Sequence, residues 1–353
     1  METLSLFDTE LRPAVTVEPP SPSAPAAPRA AAGTPAASGP TPTGPVLLAV
    51  DGNSLAHRAF HAYTQPRVDG SPGPGGRYGF LAMLSAICDR VRPDALVVGF
   101  DCRATSVRRE RYAGYKAQRP DQDPRIPELL DDIAVLLDDL GVLVVQPTGW
   151  EADDVLGSAA AAAERAGWRA VLATSDRDAY ALVSDTTTVL RLRSGLDNAV
   201  EVTPRRLRRD VGVAPWQYTE LAALRGDTSD NLPGIPGIGT ARAAELLSVY
   251  PTVADAAADP LGCRSVLGRT LGQALLDDLA DAATSVFLRN VDLMTIRRDV
   301  PLDLDDCVLT ATPERVLEVL RSWRLPSLGG RMTLALCPAP PDDAPPPDAP
   351  PPF

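Results

Sequence analysis

The sequence predicts an α/β protein, a parallel sheet with helices on both faces, followed by an all-helical part. Three observations carry this. Short apolar runs of strand length recur along the chain. Segments with apolar residues three and four apart lie between them. After about Val202 the strand signal stops, and helices and turns follow.

The elements follow in order. Residues 1–45 are rich in Ala, Pro, Gly, Ser and Thr, too poor in large apolar groups to offset the entropy of ordering, and read as a disordered head. Buried strands are expected at Val46–Val50, Ala95–Phe100, Val142–Val145, Ala170–Ala173 and Thr188–Leu192. Helices are expected at Gly79–Val91, Pro127–Leu140 and Asp153–Ala166. The segment 103–124 is polar, basic and interrupted, and reads as a mobile excursion from the sheet. The catalytic-type α/β region is therefore 46–202, the helical region 203–337, and 338–353 a Pro-rich disordered tail.

No apolar run approaches the ~20 residues needed to span a bilayer. The start, Met1-Glu2-Thr3, lacks the basic and apolar pattern of a secretory signal. Five scattered cysteines without a CxxC pair suit a reducing cytoplasm. The net charge of -12 looks wrong for binding phosphates, but its distribution matters more than its sum. Arginines bunch at 103–119 and again at Arg205, Arg206, Arg208 and Arg209; a solvated face is the plain alternative. Lys116 is the only lysine in the chain and sits inside the first bunch, where a compact point charge can approach a single oxygen.

Acidic residues recur where the strands end, which is where open α/β sheets bind ligands. Asp51 follows the first strand and Asp101 the second; Glu151, Asp153 and Asp154 open a helix after the third; Asp176 and Asp178 follow the fourth. Asp227 and Asp230 stand in GDTSDN. So many carboxylates at one edge would repel, and hard divalent cations are the natural compensation, magnesium or manganese rather than zinc. Asp153 and Asp154 could instead serve only as helix N-terminal acids. His57 and His61 have helical spacing but no third zinc ligand nearby. No GxSxG elbow, Walker A pattern or GxGxxG after a strand is present. Acids holding two metals are the expected tool for phosphodiester hydrolysis. The run LPGIPGIG, Leu232–Gly239, would present backbone N–H groups to a phosphate ahead of a helix, or be a bare turn between helices.

In this order, DGNSLAHRAFHA, VVGFDCRATSVRRERYAGYKAQR, GWEADDVLGS, ATSDRDAYAL and LRGDTSDNLPGIPGIGTARA resemble the 5′-nuclease domain of bacterial DNA polymerase I and its free-standing relatives, over about Val46–Val300. The resemblance implies a PIN-like fold with a helical arch at 103–124 and a helix-turn-helix glycine hairpin. It implies a 5′-3′ exonuclease or flap endonuclease acting in primer removal and repair. Asp51, Asp101, Glu151, Asp153 and Asp154 match its first metal cluster. Asp176, Asp178, Asp227 and Asp230 match the second, with Asp153 between the two. Tyr115, Lys116 and Arg119 match the active-site face of the arch, and Arg108 its phosphate-contacting arginine. Gly234, Gly237, Ile238, Gly239 and Arg242 fall on the duplex-gripping hairpin. Ala241 stands where the family commonly has lysine, a departure that alters this grip. The implied cofactors are two Mg2+, with Mn2+ an alternative, and K+ at the hairpin. The implied partners are DNA with 5′ ends, flaps or RNA–DNA primers, bound by a monomer in the nucleoid-bearing cytoplasm.

TLSLF at 3–7 resembles a sliding-clamp-binding peptide through Leu4, Leu6 and Phe7, although Thr3 replaces the usual glutamine. A non-catalytic DNA-binding relative and an RNA-directed PIN-like nuclease are the alternatives. The complete acid set disfavours the first and the glycine hairpin the second.

Overall fold

The computed structural model describes residues 44–65, 75–193 and 195–337. Leu4, Leu6 and Phe7 lie outside them. The α/β region runs β1 (Val46–Asp51), α1 (Gly52–Tyr63), α2 (Gly76–Val91), β2 (Ala95–Gly99), α3 (Val107–Arg111), α4 (Arg125–Asp139), β3 (Leu143–Val145), α5 (Ala152–Ala166), β4 (Arg169–Thr174), β5 (Thr187–Arg193) and β6 (Gly195–Val202). The sheet order is β3-β2-β1-β4-β5-β6. Its first five strands are parallel, and β6 returns antiparallel to β5, an edge strand the apolar runs did not announce.

The chain travels outward from β1 to β3 and then resumes on the other side of β1 at β4. That reversal leaves a crevice beyond the carboxyl ends of β1 and β4. Register keeps those ends level: Asp51 lies opposite Gly99, and Val50 opposite Ala173.

Alternation along each strand divides the core. Leu47, Ala49, Val97 and Leu172 face one way, onto Val155, Leu156 and the alanines of α5. Leu48, Val50, Leu96 and Val98 face the other, onto α1, α2 and α4 through Leu55, Phe80, Leu84 and Ile133. Small residues let α5 sit close: a Cβ at Gly157 would lie 2.2 Å from the Arg297 carbonyl oxygen.

Beyond the sheet come α6 (Pro204–Val211), α7 (Tyr218–Arg225), β7 (Gly226–Asp227), β8 (Leu232–Pro233), α8 (Thr240–Val249), α9 (Val253–Ala258), α10 (Pro260–Leu267), α11 (Arg269–Leu279), α12 (Val286–Met294), α13 (Pro313–Ser322) and α14 (Gly329–Leu336). Strands therefore do not stop at Val202. β7 and β8 form a two-stranded ribbon closed by GDTSDN, too short to show an alternating pattern. The helical region is also not one unit. Helices α7, α8, α10 and α12 extend the core on the α5 side, whereas Val316, Leu320, Leu328 and Met332 pack on the opposite core with α2. Among the described residues no helix is long and apolar enough to cross a membrane.

Candidate active site

Each acid is placed by the end of an element. Asp51 closes β1 and caps α1, accepting from the Ser54 N–H at 2.8 Å and the Thr174 hydroxyl at 2.8 Å. Asp101, just past β2, accepts from the Ala152 N–H at 2.8 Å, while Asn53 accepts from its backbone N–H. Glu151 and Asp153 open α5, Asp176 follows β4, and Asp227 stands on β7. These six carboxylates line one open cleft of about 1150 Å³. Asp178 and Asp230 adjoin it and repel its acids, or are repelled by them.

Burial and mutual repulsion raise the affinity of these groups for protons. Burial, then Asp101 and Asp176, push Asp51 up to about 7. Burial and repulsion from Asp176, Asp51 and Glu151 raise Asp153 well above the carboxylate range. Asp178 rises in the same way through burial, Asp176, Asp227 and Asp230. Asp176 acts on acids of both groups, and Asp153 is in turn acted on by Asp176, Asp51 and Glu151, so both residues lie where the two groups meet.

Among the described residues no three side chains converge as a ready-made metal cluster. The donor set nevertheless fits hard cations. Asp153 Oδ1 and Asp178 Oδ1 are buried with no hydrogen-bond partner, a cost that oxygen-seeking cations would relieve. Burial, then His61, lowers the pKa of His57, which contacts Gln122.

Segment 103–124 is folded against this cleft rather than held away from it, and its one helix is the five-residue α3. Two sequence assignments change here. Arg108 is 5% exposed, its guanidinium turned into the protein and not toward the open cleft. It grips Asp154 with both arms, at 2.7 and 2.8 Å, and donates from Nε to the Leu293 carbonyl. Burial would lower its affinity for protons, but Asp154 and Glu151 raise it above the arginine range. Asp154, wholly buried, also accepts from the N–H groups of Glu151 and Arg297. Both of its oxygens are engaged by protein donors, so in this structure it anchors the segment.

Tyr115 lies in the core at 3% exposure, its hydroxyl donating to Glu151 at 2.9 Å. Lys116 Nζ donates to the other Glu151 oxygen at 2.9 Å, and Arg119 to Asp230 at 2.8 Å. Lys116 adopts φ 54, which turns the chain there while its N–H binds the Asp230 carbonyl. Burial opposes its charge; Glu151 and Asp230 outweigh that and raise its pKa.

Residues 46–212 match the 5′-3′ exonuclease N-terminal resolvase-like domain, and 213–315 the 5′-3′ exonuclease C-terminal SAM fold. The chain belongs to the 5′-3′ exonuclease family. It is 39% identical over 262 residues to DNA polymerase I of Mycobacterium leprae, and 37% over 265 to the thermostable DNA polymerase I of Thermus aquaticus. These matches cover 74% and 75% of this chain but 28% and 30% of the polymerases, so the chain spans under a third of those relatives. Its fold is shared with the T5 D15 protein co-crystallised with metal ions, at TM-score 0.57 and 19% identity over 82% of this chain and 99% of that one. Human GEN1 in complex with Holliday junction DNA superposes at TM-score 0.54, with 14% identity over 83% of this chain and 72% of that one.

Within the family's glycine hairpin the five assigned residues separate. A Cβ on Gly234 would lie 2.3 Å from the Arg225 backbone, and Ile238 is 2% exposed, so both hold the turn together from inside. Gly237 needs its φ of 83 and faces Leu271. Gly239 opens α8 with free space around its Cα, and Arg242 is exposed beside Glu245. Residues given no role from the sequence also build the site: Thr174 and Asn53 orient Asp51 and Asp101, and Arg58 and Arg191 line the cleft. Only Thr174 carried a signal, a polar residue at the end of an apolar strand run; Asn53 and Arg58 lie on α1 and Arg191 within β5.

Proposed function

We propose that the chain is a structure-specific 5′-nuclease that hydrolyses DNA phosphodiesters at 5′ ends and flaps, including RNA–DNA primers. The carrying observation is the crowded acid cleft with unpartnered buried oxygens on Asp153 and Asp178, facing the cations of Lys116 and Arg119. Family membership and relatives called DNA polymerase I support DNA as the substrate. Asp51, Asp101, Glu151, Asp153 and Asp176 would hold one divalent cation, and Asp176, Asp178, Asp227 and Asp230 a second. Bound there, such cations supply Lewis acidity at the phosphate.

The chain's own groups do the remaining work. Lys116 exchanges Glu151 for a phosphate oxygen and offsets charge that grows in the transition state. Arg119 does the same from Asp230. The open GDTSDN and glycine turns set duplex DNA across the cleft, and the hairpin would hold K+ beside a backbone phosphate. The deciding experiment compares a labelled 5′-flap substrate with blunt duplex and single strand, in magnesium and in chelator. Flap cleavage in magnesium alone, abolished in Asp176→Ala while DNA binding persists, is expected. Chelator-resistant cleavage, or full activity in that variant, would overturn the reading.

A further inference from the structure

A row of side chains crosses three neighbouring strand ends. Asp51 ends β1, Thr174 ends β4 and donates to Asp51, and Arg191 pairs with Thr174 in the β4–β5 register. Residues in register on neighbouring parallel strands share a face, so Arg191 points into the same cleft that the acids line. Two strand spacings put its strand about 10 Å from that of Asp51.

Among the described residues Arg191 pairs with no carboxylate, and its Nε is buried with no hydrogen-bond partner. Arg58 lies close by as a second cation; burial first, then the charge of Arg191, lowers its pKa. Its two terminal nitrogens hold the carbonyls of Leu192 and Arg193 and so pin the strand end that presents Arg191. The Arg58 Nε, too, is buried and unpartnered. Asp51 offsets part of this charge, but two cations that repel each other, each with an orphaned donor, leave room for a further anion in this partly buried wall, and guanidiniums match phosphate oxygens.

We propose that Arg191, braced by Arg58, is a phosphate-binding subsite that holds a backbone phosphate of the nucleic acid at the β5 end of the cleft, apart from the phosphate that is cut. The identity of the ligand rests on the nuclease reading; the presence of an anion subsite rests on the guanidinium pair. The subsite also gives the cleft a direction, acidic at β1 and basic at β5, so a strand crossing it is held on one side of the scission point.

The test is the salt dependence of DNA binding by the full chain in chelator, where no cleavage competes. Each lost phosphate contact lowers the slope of log K against log salt by about 0.9 on duplex and about 0.7 on single strand. Arg191→Gln is expected to lose one such increment and Arg191→Lys to retain it, and the arm that changes, blunt duplex or single-stranded oligonucleotide, identifies the strand held. Unchanged slopes in both arms overturn the subsite, whatever the cleavage assay shows. A wild-type chain that binds DNA and loses the increment in Arg191→Gln, yet never cleaves in magnesium, overturns the nuclease reading and keeps the subsite. If Arg191→Gln lowers the melting temperature, Arg191→Met, which keeps the unbranched stem, takes its place in the same titration.

Discussion

Lys116 shows how one residue carries several constraints. Its ammonium is held by Glu151, its backbone N–H by Asp230, and its φ is in the left-handed region. A compact point charge delivered to one oxygen should act mainly in the transition state. Lys116→Ala is therefore expected to slow single-turnover cleavage roughly a hundredfold or more while substrate affinity changes little. Lys116→Arg should also impair, because a planar fork cannot take the same place. Intact single-turnover rates with lost affinity would make Lys116 a simple phosphate anchor. Arg108 and Asp154 illustrate the opposite outcome, in which residues within the matching motifs turn inward. Both are buried, and removing one charge strands the other. Arg108→Met should thus cost about 3 kcal/mol or more of stability, read in denaturant unfolding. A change within error would show that the pair is dispensable.

At the level of elements, the α8 entrance separates structural glycines from accessible ones. Gly234 has no room for a side chain against the Arg225 backbone and Gly237 holds a left-handed φ of 83, so substitution at either disturbs the fold before it touches DNA. Gly239 has open space and an ordinary φ of -89. Gly239→Val should keep the wild-type melting temperature and weaken duplex affinity by roughly tenfold, because the added bulk blocks close approach of a phosphate to the helix N-terminus. Binding equal to wild type would move the duplex track away from this hairpin. The segment 103–124 likewise owes its placement to packing. Its composition announces a polar excursion, but Tyr115 and Arg108 tie it to the cleft floor.

Across the whole molecule, acids with raised pKa values make metal binding and stability one problem. Asp51 rises from 3.8 to about 7 on folding, chiefly by burial. Its contribution to stability is full below the unfolded value and is lost as pH rises through about 7. The metal-free protein should therefore lose stability between about pH 4 and 7, the window between the unfolded and folded values of Asp51, where magnesium restores it with a rise in melting temperature of about 2 °C or more that grows with pH across that window. Asp51→Asn should blunt the metal-free loss. A magnesium increment that shrinks with rising pH would contradict this electrostatic account. The alternation of apolar runs and helical patterns, and acids at Asp51, Asp101, Glu151 and Asp176, were legible from the sequence because periodicity and strand ends are local properties. The same holds for Lys116, whose rarity is visible without coordinates. Which acids face the cleft was not. Asp153 and Asp154 are adjacent on α5, and only the helix's rotation against the sheet turns one toward the cleft and the other onto Arg108. Nor could local pattern send α13 and α14 back to the α2 side, or reveal that Arg191 stands in line with Thr174 and Asp51. Those facts depend on register and on contacts between distant segments, which the free energy of the packed whole selects and no short window of sequence contains.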